Sequence, residues 1–469
     1  MNWKVVISVF KKKSSFFVCI ILIILITLVE FLGGFGSLDN LIYDFMLKSS
    51  PAPTEAPEVL FVDIDDSSLD AVGTWPWSRD ILADTIIRMK ELGAKSVIFD
   101  IEYLSPSQKG IHPEVIGTIP NKIASSESLI VESIVALSDA VNDGRLPVDS
   151  LAEVSREVIQ DTIVPSLETI SSSINGISRD NDEYFGQALQ FFGNSWLTVN
   201  FSNIITTEES AKNYVKQRML LTNVKDVHNY IEKDNDETIK NQQIQEGFAP
   251  ALETMVKRAK GVGFTNVIVD EDGLRRRVEL LYEKDGKYLG QLVFAPMLHL
   301  LQVESLTRNK ASLTLHNALL PNATERKDIK IPLDRNGYML INWIHNTYDK
   351  SFRHTSVLSS LYLDNYESQI IAFLRWLIDG DSYYLAADGS WLDYYVEASQ
   401  LVAMYDEIAA YKTYLLDKCG GFDIEGNPLI GEISQEEYEE YFAARAVFFE
   451  GCTAFLNGNG YSQDRKSVV

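Results

Sequence analysis

The chain has 469 residues, 46% of them apolar and 11% aromatic, and 42 Lys and Arg against 66 Asp and Glu give a formal charge of −24. That length and apolar content exclude a disordered chain and allow a sizeable core or two domains, at roughly 100–200 residues per domain. The acidity excludes nucleic acid as a partner, because a polyanion is repelled, and three cysteines without CxxC or Cys/His metal spacing exclude a disulfide-built fold.

Lys4, Lys11, Lys12 and Lys13 precede the apolar run Phe16 to Val29, which Phe31 to Phe35 extends past Glu30. At 1.5 Å per residue, about twenty such residues cross a bilayer core of about 30 Å. The lysines keep the first residues cytoplasmic. The expectation is a basic tip at 1–13, a transmembrane anchor at 14–36 and an extracytoplasmic remainder, making a single-pass protein of the cytoplasmic membrane. The run exceeds the about 7–15 residues of a signal-peptide core, and no Ala-x-Ala follows it, which favours an uncleaved anchor. Cys19 lies in the run, so only Cys419 and Cys452 could pair outside.

Residues 37–57 read as an exit helix, with Leu38, Leu41, Ile42 and Phe45 at helical spacing, followed by the linker Pro51-Ala-Pro-Thr-Glu-Ala-Pro57. Val59 to Ile64 is a short apolar run of the kind that forms a buried strand. Ser78 stands at an N-cap position before the stripe Leu82, Thr85, Ile86 and Met89, and Gly93 closes that helix. Ser96 to Asp100 is a second strand. Strand, helix and strand at this spacing predict a βαβ unit with two parallel neighbours.

Residues 108–178 interrupt this pattern. Ile130, Ile134, Leu137 and Val141, and then Val154, Val158, Leu167 and Ile170, predict an inserted helical hairpin broken at Gly144 and Pro147. A helix from Tyr184 to Phe192, stopped by Gly193, leads to a strand from Ser195 to Phe201. Residues 206–246 are polar and read as helical. A strand pair is expected at Gly261 to Val269 and Arg275 to Tyr282 around the turn Asp270-Glu-Asp-Gly273. A helix at Leu292 to Leu301 follows, then two short strands around Asp334-Arg-Asn-Gly337. From 358 onward the stripes Ile370, Ile371, Leu374, Leu377 and Leu401, Met404, Ile408, Leu415 predict a mostly helical lobe through 469. Ser434-Gln-Glu-Glu437 is a capping box within it. Trp75-Pro-Trp77 reads as a packing turn.

Four stretches in order resemble a CHASE2 domain, the extracytoplasmic sensor module of bacterial membrane signalling proteins. They are Leu41-Ile-Tyr-Asp44 with Val62-Asp-Ile-Asp-Asp66, Gly73-Thr-Trp-Pro-Trp-Ser-Arg79 with Gly93 to Asp100, Gly263-Phe-Thr-Asn-Val with Asp270 to Arg276, and Asp334 to Trp343. The resemblance spans about 38–360 and places the sensor domain at 58–357. It implies ligand sensing, not catalysis, coupled to a cytoplasmic adenylate/guanylate cyclase or histidine kinase. No such output is recognisable in 358–469, so the chain reads as a truncated or output-less relative. The overall expectation is an α/β fold, a parallel or mixed sheet with helical insertions preceded by one transmembrane helix.

The βαβ reading puts Asp63, Asp65 and Asp66 at one strand end and Asp100 and Glu102 at the next. Ligands of open parallel sheets bind beyond the carboxyl ends of the strands. These carboxylates, with Arg79 as a charge partner, are therefore candidate residues for an unidentified small extracytoplasmic ligand. Asp65 and Asp100 are the candidates should the ligand be Ca²⁺ or Mg²⁺, which take oxygen ligands. No resident cofactor is expected. The competing role for the same carboxylates is capping of the following helix. Asp63-Ile-Asp65 also has the spacing of an Mg²⁺-dependent phosphatase nucleophile pair, but the downstream acidic pair it requires is not recognisable. A homodimer is expected, because a single membrane helix has few ways to transmit a signal and the inserted amphipathic helices offer an interface. The alternative at this point is a cell-envelope scaffold with no small ligand.

Overall fold

A computed structural model describes residues 14–31, 36–111, 113–175, 178–201, 207–227, 247–270, 272–321, 323–379, 391–420 and 433–457. The chain divides into two units, one of residues 1–62 with 341–355 and one of residues 63–340 with 356–469.

In the smaller unit the apolar run forms the helix Ser14–Phe31, whose described side chains, 18 to 28, are exposed. Among the described residues no helix is long and apolar enough to cross a membrane, so the fold does not itself show the expected span at 14–36. The exit helix is present as Gly36–Ser49 and ends just before Pro51, where proline cannot continue it. Residues 341–355 pack beside this segment. The Tyr43 hydroxyl donates to the Ile341 carbonyl at 2.6 Å, the Phe352 amide donates to Glu55 at 2.7 Å, and Phe61 meets the rings of Tyr348, Phe352 and His354.

The larger unit is built on a sheet in which Ser195–Asn200 pairs in parallel with Val97–Ile98 and with Gly261–Phe264, and antiparallel with Ala249–Pro250. The central strand is almost fully buried, the polar Ser195 and Thr198 included, as expected of a strand with parallel neighbours and covered faces. The helices Arg79–Glu91 and Asn181–Phe192 pack on each other and bury Ile86, Ile87, Phe185, Leu189 and Phe192. Asp180 caps the second of them by accepting the amides of Asp182 and Glu183. Gly193, at φ +79°, ends it in the left-handed conformation that glycine adopts without steric cost.

A second four-stranded sheet has the order Arg326–Pro332, Ser312–Leu319, Ser305–Asn309, Val224–Asp226. It shares a core with the helix Phe294–Leu300 through Leu281, Phe294, Leu298, Leu306, Leu313 and Leu315.

Two pairings differ from expectation. Leu60–Asp63 pairs with Arg353–Ser356 and does not join Val97–Ile98, so the predicted βαβ unit is replaced by a partner almost three hundred residues away. Its side chains are only half buried: an apolar run fixes the extended conformation but says nothing about the partner. The predicted strand pair across Asp270-Glu-Asp-Gly273 also does not form. The turn exists, with Gly273 at φ +83° and its amide on the Asp270 carbonyl. Its arms diverge, however: Arg277–Val278 pairs with Met339–Leu340, and Leu281–Lys284 pairs with Lys287–Gly290. The strands at 305–309 and 312–319 had no counterpart in the sequence reading.

The insert is a helical hairpin as expected, with Pro113–Asn142 packed against Val164–Asn175 and the helix Leu151–Val158 and a π turn between them. Residues 358–457 supply the helices Leu358–Ile378, Trp391–Lys418 and Gln435–Asn457, which lie in the same compact unit as the sheets. The capping box is reciprocal: the Ser434 amide donates to Glu437 at 2.7 Å, and the Glu437 amide donates to the Ser434 hydroxyl at 3.2 Å. Cys419 and Cys452 are free and buried. Residues 228–246 of the polar segment and the tail beyond 457 lie outside the described residues; the part described holds the helix Glu209–Arg218 and the strand Val224–Asp226.

Candidate functional site

Three parallel strands, Val97–Ile98, Ser195–Asn200 and Gly261–Phe264, end at one edge of the main sheet. The chain leaving the first carries Asp100 and Glu102, both exposed. The Asn200 amide at the end of the second strand donates to Glu102 at 2.5 Å. Two residues past the third, the Asn266 side-chain oxygen accepts the Phe201 amide at 3.2 Å. The Thr198 hydroxyl donates to the Ile101 carbonyl at 3.0 Å and ties the first strand's exit to the second. This edge therefore offers two carboxylates and two carboxamides in positions fixed by the backbone of three strands. The asparagines were missed in the sequence. Their one signal is an Asn directly after an apolar run, in Leu197-Thr-Val-Asn200 and Gly263-Phe-Thr-Asn266.

The exit loop is pinned from behind by Arg79. Its guanidinium pairs with Asp182, donates to the Ser105 carbonyl at 2.5 Å and lies 5.2 Å from the centre of the Tyr103 ring. The second Asp182 oxygen accepts the Ser107 amide at 2.9 Å. Arg79 is buried, so its partner is Asp182 and not the predicted acidic group. It holds the loop that presents Asp100 and Glu102.

Asp63, Asp65 and Asp66 occupy a different place, after a strand of the separate two-stranded sheet. Asp65 is the N-cap of the helix Asp66–Val72 and accepts the Ser68 amide at 3.0 Å, the Ser67 hydroxyl at 2.9 Å and the Ser356 hydroxyl at 2.8 Å. The Ser356 bond above all, with the Ser68 and Ser67 bonds and against some desolvation, holds its carboxyl down at about 2. Asp66 is exposed in the first turn of that helix, where a negative charge faces the positive end of the helix dipole. The Asp63 carbonyl accepts the Val357 amide at 2.9 Å. Among the described residues no group of three or more His, Cys, Asp or Glu side chains could hold a metal ion.

The two later landmark stretches meet in an ion-pair cluster. Arg276, 3% exposed, pairs with Asp270 at 3.0 Å and Asp272 at 2.7 Å. Arg277 pairs with Asp270 at 2.5 Å and with Asp334 at 3.2 Å. Asp334 in turn accepts the amides of Asn336 and Tyr338, both at 2.9 Å. The cluster ties the turn at 270–273 to the turn at 334–337.

A family model described as the CHASE2 domain matches residues 18–374, more than half of the chain. The match begins inside the helix Ser14–Phe31 and ends inside the helix Leu358–Ile378, and among the described residues the helices Trp391–Lys418 and Gln435–Asn457 lie wholly beyond it. No curated protein and no solved structure matches the chain.

Proposed function

The chain belongs to the CHASE2 domain family, a sensory and not a catalytic module, and from that premise we propose that its ligand binds at the carboxyl edge of the three parallel strands. The observation that carries this reading is the edge itself. Asp100, Glu102, Asn200 and Asn266 lie at or just past its strand ends, and Glu102 and Asn200 are already paired at 2.5 Å. Acceptors and carboxamides of this kind suit a small cationic or polyhydroxylated molecule, and such crevices are where open parallel sheets bind.

We further propose that the protein is held at a membrane by the helix Ser14–Phe31, with its bulk extracytoplasmic. The support is the apolar run Phe16 to Val29 with its continuation Phe31 to Phe35, the exposed Ile and Leu side chains of the helix and the lysines before it. Within the smaller unit the Tyr43 hydroxyl of the exit helix is held by the Ile341 carbonyl, and ligand binding would act by shifting the domain between two conformations. A ligand moves this equilibrium only by binding one conformation better than the other. The output, a cyclase or kinase in the manner the resemblance implies, would act on the cytoplasmic side.

The test is thermal unfolding of the full chain in detergent against a panel of amino acids, polyamines, sugars, Ca²⁺ and Mg²⁺, with the variants Asp100→Asn and Glu102→Gln. A compound at a hundred times its Kd stabilises by about 2.7 kcal/mol. A melting shift lost in both variants and kept in Asp65→Asn supports the strand-edge site. A shift lost in Asp65→Asn alone moves the site to the other sheet, and no shift with any compound favours a scaffold.

A further inference from the structure

The inserted hairpin presents an apolar face that stays exposed among the described residues. Its two helices run antiparallel, as the Lys122 ammonium on the Ser173 hydroxyl at 3.3 Å and the chain reversal at 143–150 require. They pack through small side chains, with Ser126, Ser166 and Ser173 buried, flanked by half-buried Ile119, Ile130, Leu137 and Ile170. Beside this seam lies a second stripe. Ile116, Ile123, Val131 and Ile134 on the long helix and Leu167 and Ile174 on the short one are 42–54% exposed.

At 3.6 residues per turn, each exposed stripe sits about a quarter-turn beyond the packed stripe, in the same sense along its own chain. In an antiparallel pair that places both stripes on one side of the hairpin. The result is a single two-helix apolar face.

We propose that this face docks on the same face of a second copy, giving a four-helix bundle about a twofold axis. Three observations favour a second copy. Six half-exposed aliphatic side chains with the small residues between them present on the order of 700 Å² per copy, close to the about 800 Å² per partner of a stable interface. A two-helix face offered to itself is self-complementary, as a twofold contact requires, and completes the layer architecture of helix bundles. The hairpin carries ten acidic and three basic residues over 113–175, whereas helices that lie on lipid are rich in Lys and Arg; at 3.6 residues per turn Glu127 is the one charge that falls on the stripe of Ile116, Ile123, Val131 and Ile134. The dimer does not depend on the strand-edge ligand site, and its failure leaves that site untouched.

The experiment is sedimentation of the full chain in detergent, with Ile134→Glu on the face and Leu129→Glu on the opposite side of the same helix. It is joined to oxidative cross-linking of Ile134→Cys and Leu129→Cys in a Cys19→Ser background. Wild type and Leu129→Glu sedimenting as dimers, at least tenfold weaker association in Ile134→Glu with an unchanged circular dichroism spectrum, and a disulfide-linked dimer from Ile134→Cys alone support the proposal. A monomeric wild type, equal cross-linking at both positions, or protection of Ile134→Cys from a soluble maleimide only when lipid vesicles are added overturns it, the last in favour of a membrane surface.

Discussion

Replacing Arg88 by methionine should cost about 3 kcal/mol and loosen the C-terminal helices before the sheets. Arg88, 6% exposed on the helix Arg79–Glu91, donates to Glu367 at 2.7 Å and pairs with Glu91 at 2.8 Å and with Asp364. Glu91, whose side chain is 1% exposed, is shared with Lys412 at 3.0 Å and Arg445 at 3.2 Å, and it accepts the Tyr441 hydroxyl at 2.7 Å. Arg445 closes the knot on Glu367 at 2.9 Å. Three cations and three carboxylates thus join the helix Arg79–Glu91 to all three C-terminal helices. Removing one partner of a buried pair costs about 3–5 kcal/mol, because the charge left behind is not rehydrated. Asp364 is 35% exposed and regains water, and Lys412 and Arg445 still face Glu91, so the lower end applies. Burial pushes the Glu91 and Glu367 carboxyls up, yet their cationic neighbours outweigh it and hold both below their ordinary value of 4.5. A depressed folded pKa contributes stability that is complete above about pH 4.5 and drains as the pH falls through the folded value. The gap between wild type and variant should therefore narrow in acid. Urea unfolding at pH 7 and pH 4 measures both effects, and limited proteolysis should cut within 391–457 first. A loss under 1 kcal/mol, or a gap that widens in acid, would refute the argument. Arg88→Met with Glu367→Leu should recover part of the loss, since an apolar pair leaves no buried charge.

Three further outcomes follow from local geometry. Gly263→Ala should destabilise by about 1–3 kcal/mol, read as a lower urea midpoint, because an added Cβ would sit 2.4 Å from the Leu292 Cα, a backbone atom that cannot turn aside. Glu279 is half buried, and burial lifts its carboxyl to about 7 against the pull of Arg308. The folded state then holds a proton that the unfolded state has lost between about pH 4.5 and 7, so stability falls as pH rises through that window. Glu279→Gln should flatten the melting temperature between pH 5 and pH 8, and an unchanged slope would exclude Glu279 as its source. Asp65→Asn should lower the melting temperature at pH 7 and remove a stability loss that wild type shows as pH falls from about 4 toward 2, the window set by its depressed carboxyl.

Helices were legible because a stripe at period 3.6 and a cap are local facts. Ile130 with Leu137, Leu401 with Ile408, and the Ser434–Glu437 box each specify their element without reference to anything distant. Strand partners were not legible, because the extended conformation of Val59 to Ile64 is a local property while its pairing with Arg353–Ser356 is decided by where the rest of the chain goes. The same limit applied to the site. Asp100 and Glu102 were picked out from their position after an apolar strand, and they do lie at a parallel-sheet edge. Asp63, Asp65 and Asp66 met the same criterion but follow a strand of a different sheet. Asn200 and Asn266 carry no charge to mark them, and only the parallel register of Trp196 on Gly261 through Val199 on Phe264 aligns their strand ends.

That register rests on glycine at two positions. A Cβ at Gly261 would fall 2.4 Å from the Trp196 ring, and one at Gly263 would strike the Leu292 backbone. The landmark Gly263-Phe-Thr-Asn266 therefore combines two requirements in four residues: a glycine that lets the neighbouring chain approach, and an asparagine that the approach delivers to the edge. Moving either residue by one position would turn its side chain to the opposite face of the sheet. In this domain a stretch that carries the sequence resemblance and the placement of a candidate ligand group are thus the same piece of packing. A substitution that enlarges Gly263 should disturb stability and ligand response together, whereas Asn266→Ala should reach the ligand response while leaving the glycine contact intact.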